Sequence, residues 1–310
     1  MRALHDAVAA EVGKVVVGQR DAITTLLAAA ALGGHVLLEG PPGVAKTLLA
    51  NAVARALGVE FRRVQFTPDM LPSDLTGNLT LRAGELEFRR GPVFTNVLLA
   101  DEVNRTPPKT QAALLEAMQE RQVSVEGRAE PLPDPFLVVA TQNPLEYEGT
   151  YALPEAQLDR FLVKLDMGYP SADEELAMLG LARSGVSAAG TLDDVRAVTD
   201  ADAIRAARAL VDATAVGTDV AGYVVAVVRR TRELPSVTLG ASPRAAVHLL
   251  GAARAAARLE GRAFVTPDDV ARMAAPVLRH RLVLTPEAEL ERYSADDAVR
   301  TVLGEVPVPR

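Results

Sequence analysis

The feature that most constrains this chain is the run GPPGVAKT at residues 40–47, which directly follows the apolar segment HVLLE at 35–39. A buried strand, a glycine-rich turn and a helix that begins at a lysine form, in this order, the setting of a phosphate-binding loop. Backbone N–H groups point into such a turn, and the helix N-terminus adds a partial positive charge. We therefore expect Lys46 to reach the β- and γ-phosphates of a nucleotide and the Thr47 hydroxyl to be a ligand of Mg²⁺.

The loop departs at one position from the usual pattern GxxxxGK[ST]. Ala45 stands where a glycine normally precedes the lysine. Alanine adopts helical backbone angles, so we expect the loop to close all the same. The alternative is a glycine- and proline-rich connection with a chance lysine, and the strand–turn–helix order argues against it.

Composition argues against several classes of function. The chain of 310 residues has no cysteine, so it carries neither disulfides nor thiolate metal sites, and its four histidines show no metal-ligand spacing. No apolar run approaches membrane-spanning length and the start MRALHDAVAAEV lacks a secretion signal, so we expect a cytoplasmic protein without membrane insertion. A net charge of −7 argues against a nucleic-acid groove as the main binding surface.

The chain divides into two unlike parts. Up to residue 168, short apolar strands predicted at 35–39, 59–66, 96–101, 136–143 and 161–167 alternate with helical patterns such as 47–57 and 110–120. Continuous apolar runs indicate a parallel sheet covered on both faces, so we predict a doubly wound, five-stranded α/β domain over residues 1–168. Residues 172–310 are predicted to form an all-α lid with helices at 172–183, 201–213, 218–232, 243–259 and 267–278.

Two of these strands end in polar residues that nucleotide hydrolysis uses. The run 96–101 ends in Asp101, with Glu102 next, and an apolar strand that ends in two acids is a Walker B arrangement. We expect Asp101 to hold the Mg²⁺ shell and Glu102 to polarise the attacking water. Asn143 would meet the γ-phosphate or its water, as sensor 1, if its strand lies between the other two. An asparagine before a proline is also an ordinary turn residue, and both interpretations stay open.

Two arginines occupy positions that do not favour stability. Arg244 lies in the first turn of a predicted helix, where the dipole disfavours a cation; a nearby phosphate would remove the conflict and make Arg244 a sensor 2 residue. Arg160 stands just before the last predicted strand, on the far side of the domain from its own loop if the sheet is wound as usual. It would serve better as an arginine finger in a neighbouring subunit. A solvated surface arginine is the alternative for each.

Together these motifs resemble the MoxR family of AAA+ ATPases. The resemblance rests on GPPGVAKT, LLADEVNR, ATQNP, EGTYALPEAQLDRF and SPR, of which the loop alanine, DE-x-NR and EAQLDRF are the most specific parts. It extends over nearly the whole chain, from a segment similar to the family's adenine-side turn to the predicted lid. It implies ATP and Mg²⁺ as ligands, and a nucleotide site formed by Val17, Gly18, Gln19, Gly40, Pro41, Pro42, Gly43, Val44, Ala45, Lys46, Thr47 and Leu48.

The resemblance also implies a mode of action. It suggests a homo-oligomeric ring, usually hexameric, that acts as a chaperone-like motor on partner proteins, often ones with a von Willebrand factor A domain, and that helps in metalloprotein maturation. In the wider clade hairpins interrupt the core, and segments 67–93 and 122–136 stand in the matching places. We expect both to be polar-tipped surface or pore hairpins that add little apolar area to the core.

Two other functions share the same ATP machinery. A chelatase-type subunit would drive metal insertion through a partner that holds all the metal chemistry, and nothing in the sequence excludes it. A nucleic-acid motor is disfavoured by the acidic charge and by the supply of stacking side chains, which is five Tyr, seven Phe and no Trp. The sequence therefore favours a protein-remodelling ATPase.

Overall fold

A computed structural model of the chain describes residues 1–82, 85–125, 127–142, 151–183 and 192–309. Its central sheet consists of β1 (Val36–Glu39), β2 (Phe61–Gln65), β5 (Val97–Asp101), β8 (Leu137–Gln142) and β9 (Val163–Asp166). The strand order is β2-β5-β8-β1-β9, and each neighbouring pair is parallel. The predicted strands and the five-stranded parallel sheet are therefore confirmed.

Helices cover both faces of this sheet because its strands are apolar on both sides. In β5, Leu98 and Ala100 belong to one buried apolar cluster, whereas Val97 and Leu99 belong to another, as alternation along a strand requires. The helices of this part are α1 (Arg2–Val12), α2 (Arg20–Leu32), α3 (Lys46–Ala56), α4 (Pro72–Thr76), α5 (Pro108–Glu120) and α6 (Glu155–Leu158). None of the helices in the described part of the chain combines the length and apolar character needed to cross a membrane.

The lid is helical, as predicted, with one difference. Its helices are α7 (Ala172–Arg183), α8 (Ala201–Asp212), α9 (Thr218–Arg230), α10 (Pro243–Leu259), α11 (Pro267–Leu278), α12 (Pro286–Leu290) and α13 (Ala295–Glu305). The prediction that the lid is all-α needs correction, because β10 (Val237–Leu239) and β11 (Val283–Leu284) form an antiparallel pair. Strands of three and two residues are too short to show a period in the sequence.

The apolar core of the lid is continuous with one face of the sheet. Helix α10 packs against α2, and their side chains, for example Leu249 and Leu26, share one apolar cluster with a face of the sheet. The predicted boundary between residues 168 and 172 therefore stays a prediction.

Two hairpins interrupt the α/β part where the sequence predicted them. Strands β3 (Gly77–Arg82) and β4 (Glu85–Arg90) form the first, and β6 (Gln122–Val125) and β7 (Arg128–Pro131) form the second. The predicted turn at Gly84 lies outside the described residues.

The expectation that these insertions add little apolar area is wrong for both, since Val123 and Leu132 of the second are buried in the same cluster as the base of the first. Met70, Leu75 and Val93 are buried in the apolar cluster beneath α5. The sequence did not indicate this because α4, which carries Leu75, is a helix of only five residues.

Candidate nucleotide-binding and hydrolysis site

The phosphate-binding loop lies between β1 and α3, as predicted. Gly43 has φ +86° with nothing near the place where a Cβ would project, so glycine is needed there for its backbone angle. Ala45 has φ 62° and ψ 26°, which is the left-handed conformation. The expectation that Ala45 adopts helical angles therefore holds only in the left-handed sense, which L-residues avoid at a cost of about 1–2 kcal/mol.

Lys46 begins α3 at the same edge of the sheet as the two acids at the end of β5. Its Nζ donates to the Gly40 carbonyl at 2.6 Å. Burial lowers the pKa of Lys46, while the charges of Asp101, Glu102 and Glu39 act in the opposite direction. One strand, β8, separates β1 from β5, so the loop lysine and the Walker B carboxylates lie at neighbouring positions along the carboxyl edge of the parallel sheet.

Asp101 is buried and held at both carboxylate oxygens. The hydroxyl of Thr141 donates to Oδ1 at 2.6 Å, and Arg63 donates to Oδ2 from Nη2 at 2.7 Å and from Nε at 3.0 Å. Arg63 comes from β2, which pairs with β5 in the sheet. These contacts fix the carboxylate at the carboxyl end of the strand.

Glu102 occupies a strained backbone conformation, with φ 57°. Its N–H donates to Thr141 Oγ1 at 2.9 Å, and its Oε2 accepts from Gln65 Nε2 at 2.7 Å. Arg105 lies 3.2 Å from the same oxygen. A left-handed glutamate persists only where its surroundings impose it, and such residues cluster at functional sites.

A cleft of about 1240 Å³ adjoins the loop and contains residues 17–19 in its lining. Gly18 has φ +72°, a backbone conformation that favours glycine at the centre of this turn. Met167 also lines the cleft, and its carbonyl would lie 2.3 Å from a Cβ on Gly40. The cleft and the phosphate loop therefore meet at Met167, which brings the predicted adenine-side turn next to the predicted phosphate site.

The residues present fit Mg²⁺ and a nucleotide. Thr47 follows the loop lysine in the first turn of α3, and the Asp101 carboxylate lies at the facing strand end. Mg²⁺ takes hard oxygen ligands and is usually bound through one or two carboxylates together with substrate phosphates. No group of three or more His, Cys, Asp and Glu side chains suited to a metal was found in the described ranges.

The strand that precedes Asn143 lies where the sensor 1 interpretation requires. Strand β8 stands between β5 and β1 in the sheet. Asn143 itself lies outside the described residues, so its role stays a prediction.

Arg160 and Arg244 lie together, at the end of the sheet opposite the phosphate loop. Both line a groove with Gly34 and Leu162, which precede β1 and β9, whereas Gly40 follows β1. Six residues of strand correspond to about 20 Å. The expectation that Arg160 lies on the far side of the domain is therefore confirmed.

The sensor 2 role of Arg244 stays a prediction. Among the described residues, the helix N-terminus that carries Arg244 is met by Asp159, whose carboxylate accepts from Ser242 Oγ at 3.2 Å and lies 3.5 Å from Arg244. In the part of the chain that the structure describes, the Arg160 guanidinium has no hydrogen-bond or ion-pair partner.

Sequence reasoning missed Arg63, Gln65 and Thr141. Arg63 and Gln65 are two residues apart on β2 and so share a face, but the sequence does not tell that β2 is the neighbour of β5. Thr141 lies two residues before Asn143, which was a usable signal for a second polar contact on that strand.

Comparisons with known proteins point to one family. Residues 35–163 match the family model described as "ATPase family associated with various cellular activities (AAA)", and residues 229–302 match "AAA lid domain". A crystal structure described as that of a candidate ATPase from Cytophaga hutchinsonii superposes with a TM-score of 0.91 at 41% identity, covering 100% of this chain and 96% of that one.

Three relatives are similar over most of their length. Chaperone MoxR1 of Mycobacterium tuberculosis is 44% identical, over 97% of this chain and 81% of that protein. Protein MoxR of Methylorubrum extorquens is 37% identical, over 96% and 93%. A Bacillus subtilis protein with the name YeaC and no assigned function is 49% identical, over 96% and 92%. The likeness therefore includes both the sheet and the lid.

Proposed function

Because the chain belongs to the MoxR family of AAA+ ATPases, we propose that it uses ATP hydrolysis to remodel partner proteins. The observation that carries the chemistry is that the phosphate-binding loop after β1 and the acids Asp101 and Glu102 at the end of β5 lie at the same edge of the sheet, with one strand, β8, between β1 and β5. In this proposal Lys46 binds the β- and γ-phosphates, Thr47 and Asp101 hold Mg²⁺, and Glu102 positions and polarises the attacking water. Bound Mg²⁺ would neutralise negative charge on the phosphates.

Arg63 and Gln65 support these acids from the neighbouring strand. Arg63 orients the Asp101 carboxylate, and Gln65 holds one oxygen of Glu102, which leaves the other oxygen for water. The binding turn at 17–19 and the cleft beside it would take the adenine base.

We further propose that the protein acts as a ring in which Arg160 and Arg244 reach the ATP of the neighbouring subunit. Both lie about 20 Å from their own phosphate loop along β1, and the Arg160 guanidinium has no partner within the described residues. An arginine finger supplied in trans contributes about 10³–10⁵ in rate in other phosphoryl-transfer systems. A monomer is then nearly inactive, and specific activity rises with protein concentration.

The partner is proposed to be a protein. One relative is named a chaperone, and the first hairpin exposes the apolar side chains of Leu81 and Leu86. A partner with a von Willebrand factor A domain and a role in metalloprotein maturation follow from the family resemblance alone. A metal-inserting partner enzyme would instead indicate the chelatase-type function.

Two variants test the chemistry. Lys46→Ala is expected to abolish nucleotide binding, whereas Glu102→Gln keeps binding and loses about 10²–10⁴ in turnover, because Lys46 contacts ground-state phosphates and Glu102 acts on water. The measurements are equilibrium binding of a fluorescent ATP analogue and steady-state phosphate release. Near wild-type turnover in Glu102→Gln would contradict the assignment of this residue. The same variant, locked with ATP, serves as the trap for isolating partners.

A further inference from the structure

One buried guanidinium of the lid holds the backbone on both sides of Arg160. The side chain of Arg281 is 1% exposed and belongs to the short 3-10 helix Arg279–Arg281 that follows α11. Its Nη2 donates to the carbonyl of Asp159 at 3.3 Å and to that of Phe161, and its Nη1 donates to the carbonyl of Leu162 at 3.3 Å. The residue between the first two of these carbonyls is Arg160.

The same guanidinium also holds the carboxylate next to the proposed finger. Its Nε donates to Asp159 Oδ1 at 2.8 Å, and this carboxylate in turn meets Ser242 and Arg244. Asp159 therefore links Arg281 to both proposed trans arginines. Arg160 is the next residue in the chain, and Arg244 forms an ion pair with the Asp159 carboxylate. The three segments involved are the connection between α6 and β9, the start of α10 and the 3-10 helix after α11.

The surroundings keep Arg281 in place. Burial lowers the pKa of Arg281, and the hydrogen bond and charge of Asp159 oppose that shift. His248 Nδ1 lies 2.6 Å from Nη2, and burial, then the Arg281 charge, lowers the pKa of His248 to about 4, so the imidazole is neutral and accepts this bond at neutral pH. A buried cation with this many acceptors has one conformation available, which is what precise positioning of a neighbouring loop requires.

From this geometry we propose that Arg281 is a positioning residue, which sets Arg160 and Arg244 in the arrangement that reaches the neighbouring subunit's ATP. The inference rests on the trans role proposed above. Loss of Arg281 would displace the arginines that a subunit supplies to its neighbour and leave that subunit's own nucleotide site intact. Misplacing a catalytic group by about 1 Å costs on the order of 10²-fold in rate.

The first test separates binding from turnover. Arg281→Gln is expected to lower kcat by about 10²-fold while ATP affinity, measured by equilibrium binding, stays within about 3-fold of wild type. Arg230→Gln is the matched control, since Arg230 is a lid arginine paired with Glu233 and Glu305 inside the lid. Wild-type kcat in Arg281→Gln, or an equal loss in Arg230→Gln, overturns the proposal.

The second test uses mixed assemblies. When Arg281→Gln subunits are mixed with Lys46→Ala subunits, activity is expected to return, because an intact site can then face an intact pair of arginines. Arg160→Ala mixed with Lys46→Ala is the reference. Recovery in the reference but not with Arg281→Gln overturns the positioning role and leaves the proposed function standing. No recovery in either mixture overturns both.

A double variant covers the case in which Arg281→Gln does not fold. Asp159→Asn with Arg281→Gln removes both charges, so that neither is left buried without its partner. It is expected to give the same low kcat, retained ATP affinity and recovery with Lys46→Ala. Wild-type turnover in the folded double variant contradicts the positioning role.

Discussion

Ala45 holds a conformation that glycine adopts without strain. Its left-handed angles cost an L-residue about 1–2 kcal/mol. A glycine avoids this cost but destabilises the folded state by about 0.4–1 kcal/mol, because it gives the unfolded chain more conformational freedom. Ala45→Gly is therefore expected to raise the free energy of unfolding by about 0.5–1 kcal/mol. Urea denaturation measures this free energy. Ala52→Gly in the interior of α3 is the control, and it is expected to lower the free energy of unfolding by about 1 kcal/mol. Equal losses in both variants would refute the strain at Ala45.

His35 makes the fold sensitive to acid. Its Nε2 lies 3.0 Å from the Met118 carbonyl, and its Nδ1 accepts from the Val138 N–H at 3.0 Å, so both ring nitrogens are satisfied only in the neutral form. Burial lowers the pKa of His35 from 6.5 to about 4. Between these values the unfolded chain binds more protons than the folded one, so stability is complete above pH 6.5 and falls as the pH drops towards 4.

Acidification from pH 6.5 to pH 4 is expected to lower the free energy of unfolding by up to about 3 kcal/mol through this histidine. His35→Gln is neutral throughout and is expected to flatten the dependence of the unfolding free energy on pH within that window. Urea unfolding at several pH values between 4 and 7.5 measures the slope for both proteins. An unchanged slope in the variant would show that His35 does not titrate in this way.

Local sequence identified most of the residues proposed for the site, but not the partners that hold them. The loop, Asp101 and Glu102 are read from contiguous motifs. Arg63 and Gln65 required the order of the strands, and the Asp159 contact of Arg244 joins residues that are far apart in the chain. Contacts of this kind depend on how elements pack, which single-sequence patterns do not encode.

Among the elements, two lid helices begin with the same capping box but differ in how it is stabilised. In α11, the capping-box carboxylate of Asp269 is 0% exposed and accepts two 2.6 Å hydrogen bonds from Arg262. In α13, the equivalent Asp297 is at the surface and is paired with the exposed Arg300. The sequence shows the same cap in both but not the difference in burial.

This difference predicts unequal costs for two arginine truncations. Arg262→Ala strands a buried carboxylate that keeps only its Thr266 donors, so the expected loss is about 3 kcal/mol. Arg300→Ala breaks an exposed pair and is expected to cost less than about 0.5 kcal/mol. Chemical denaturation of the two variants side by side gives both values. Similar losses would mean that burial does not decide the strength of these caps.

At the scale of the whole molecule, the fold class was predictable because strands and helices alternate up to residue 168 and only helical patterns follow. The way in which the lid shares an apolar cluster with the sheet was not predictable. Helices α2 and α10 are both rich in alanine, which permits close packing, but the sequence does not indicate that these two helices pack against each other. The base of the first hairpin was missed for a related reason, since its buried residues are scattered between turns.

The first hairpin has an apolar face whose outer part, Leu81 and Leu86, is exposed, whereas Phe88 at its base packs against Phe94. In β3 and β4, Leu81 stands opposite Leu86 and Leu79 opposite Phe88, on the same side of the ribbon. Leu81 is 74% exposed and Leu86 is 69% exposed, so replacing them removes little buried area. We therefore expect this face to contact the partner protein while the ATP site works without it.

Leu81→Ser with Leu86→Ser tests this expectation in the Glu102→Gln background. The double variant should keep its stability and ATP binding. The amount of partner protein that it captures is expected to fall at least about 10-fold, since apolar contacts form the centre of protein interfaces. Leu290→Ser is the control, because Leu290 is an exposed lid leucine, at 85%.

The dependence of binding on salt distinguishes a protein partner from nucleic acid, which Arg89 and Arg90 on β4 could also bind. Affinity for nucleic-acid phosphates falls by about 10³–10⁵ between 50 and 200 mM salt, whereas an apolar protein interface weakens far less. An unchanged partner set in the double variant, or salt-sensitive DNA or RNA binding that stimulates the ATPase, would show that this face is not the surface that engages a protein.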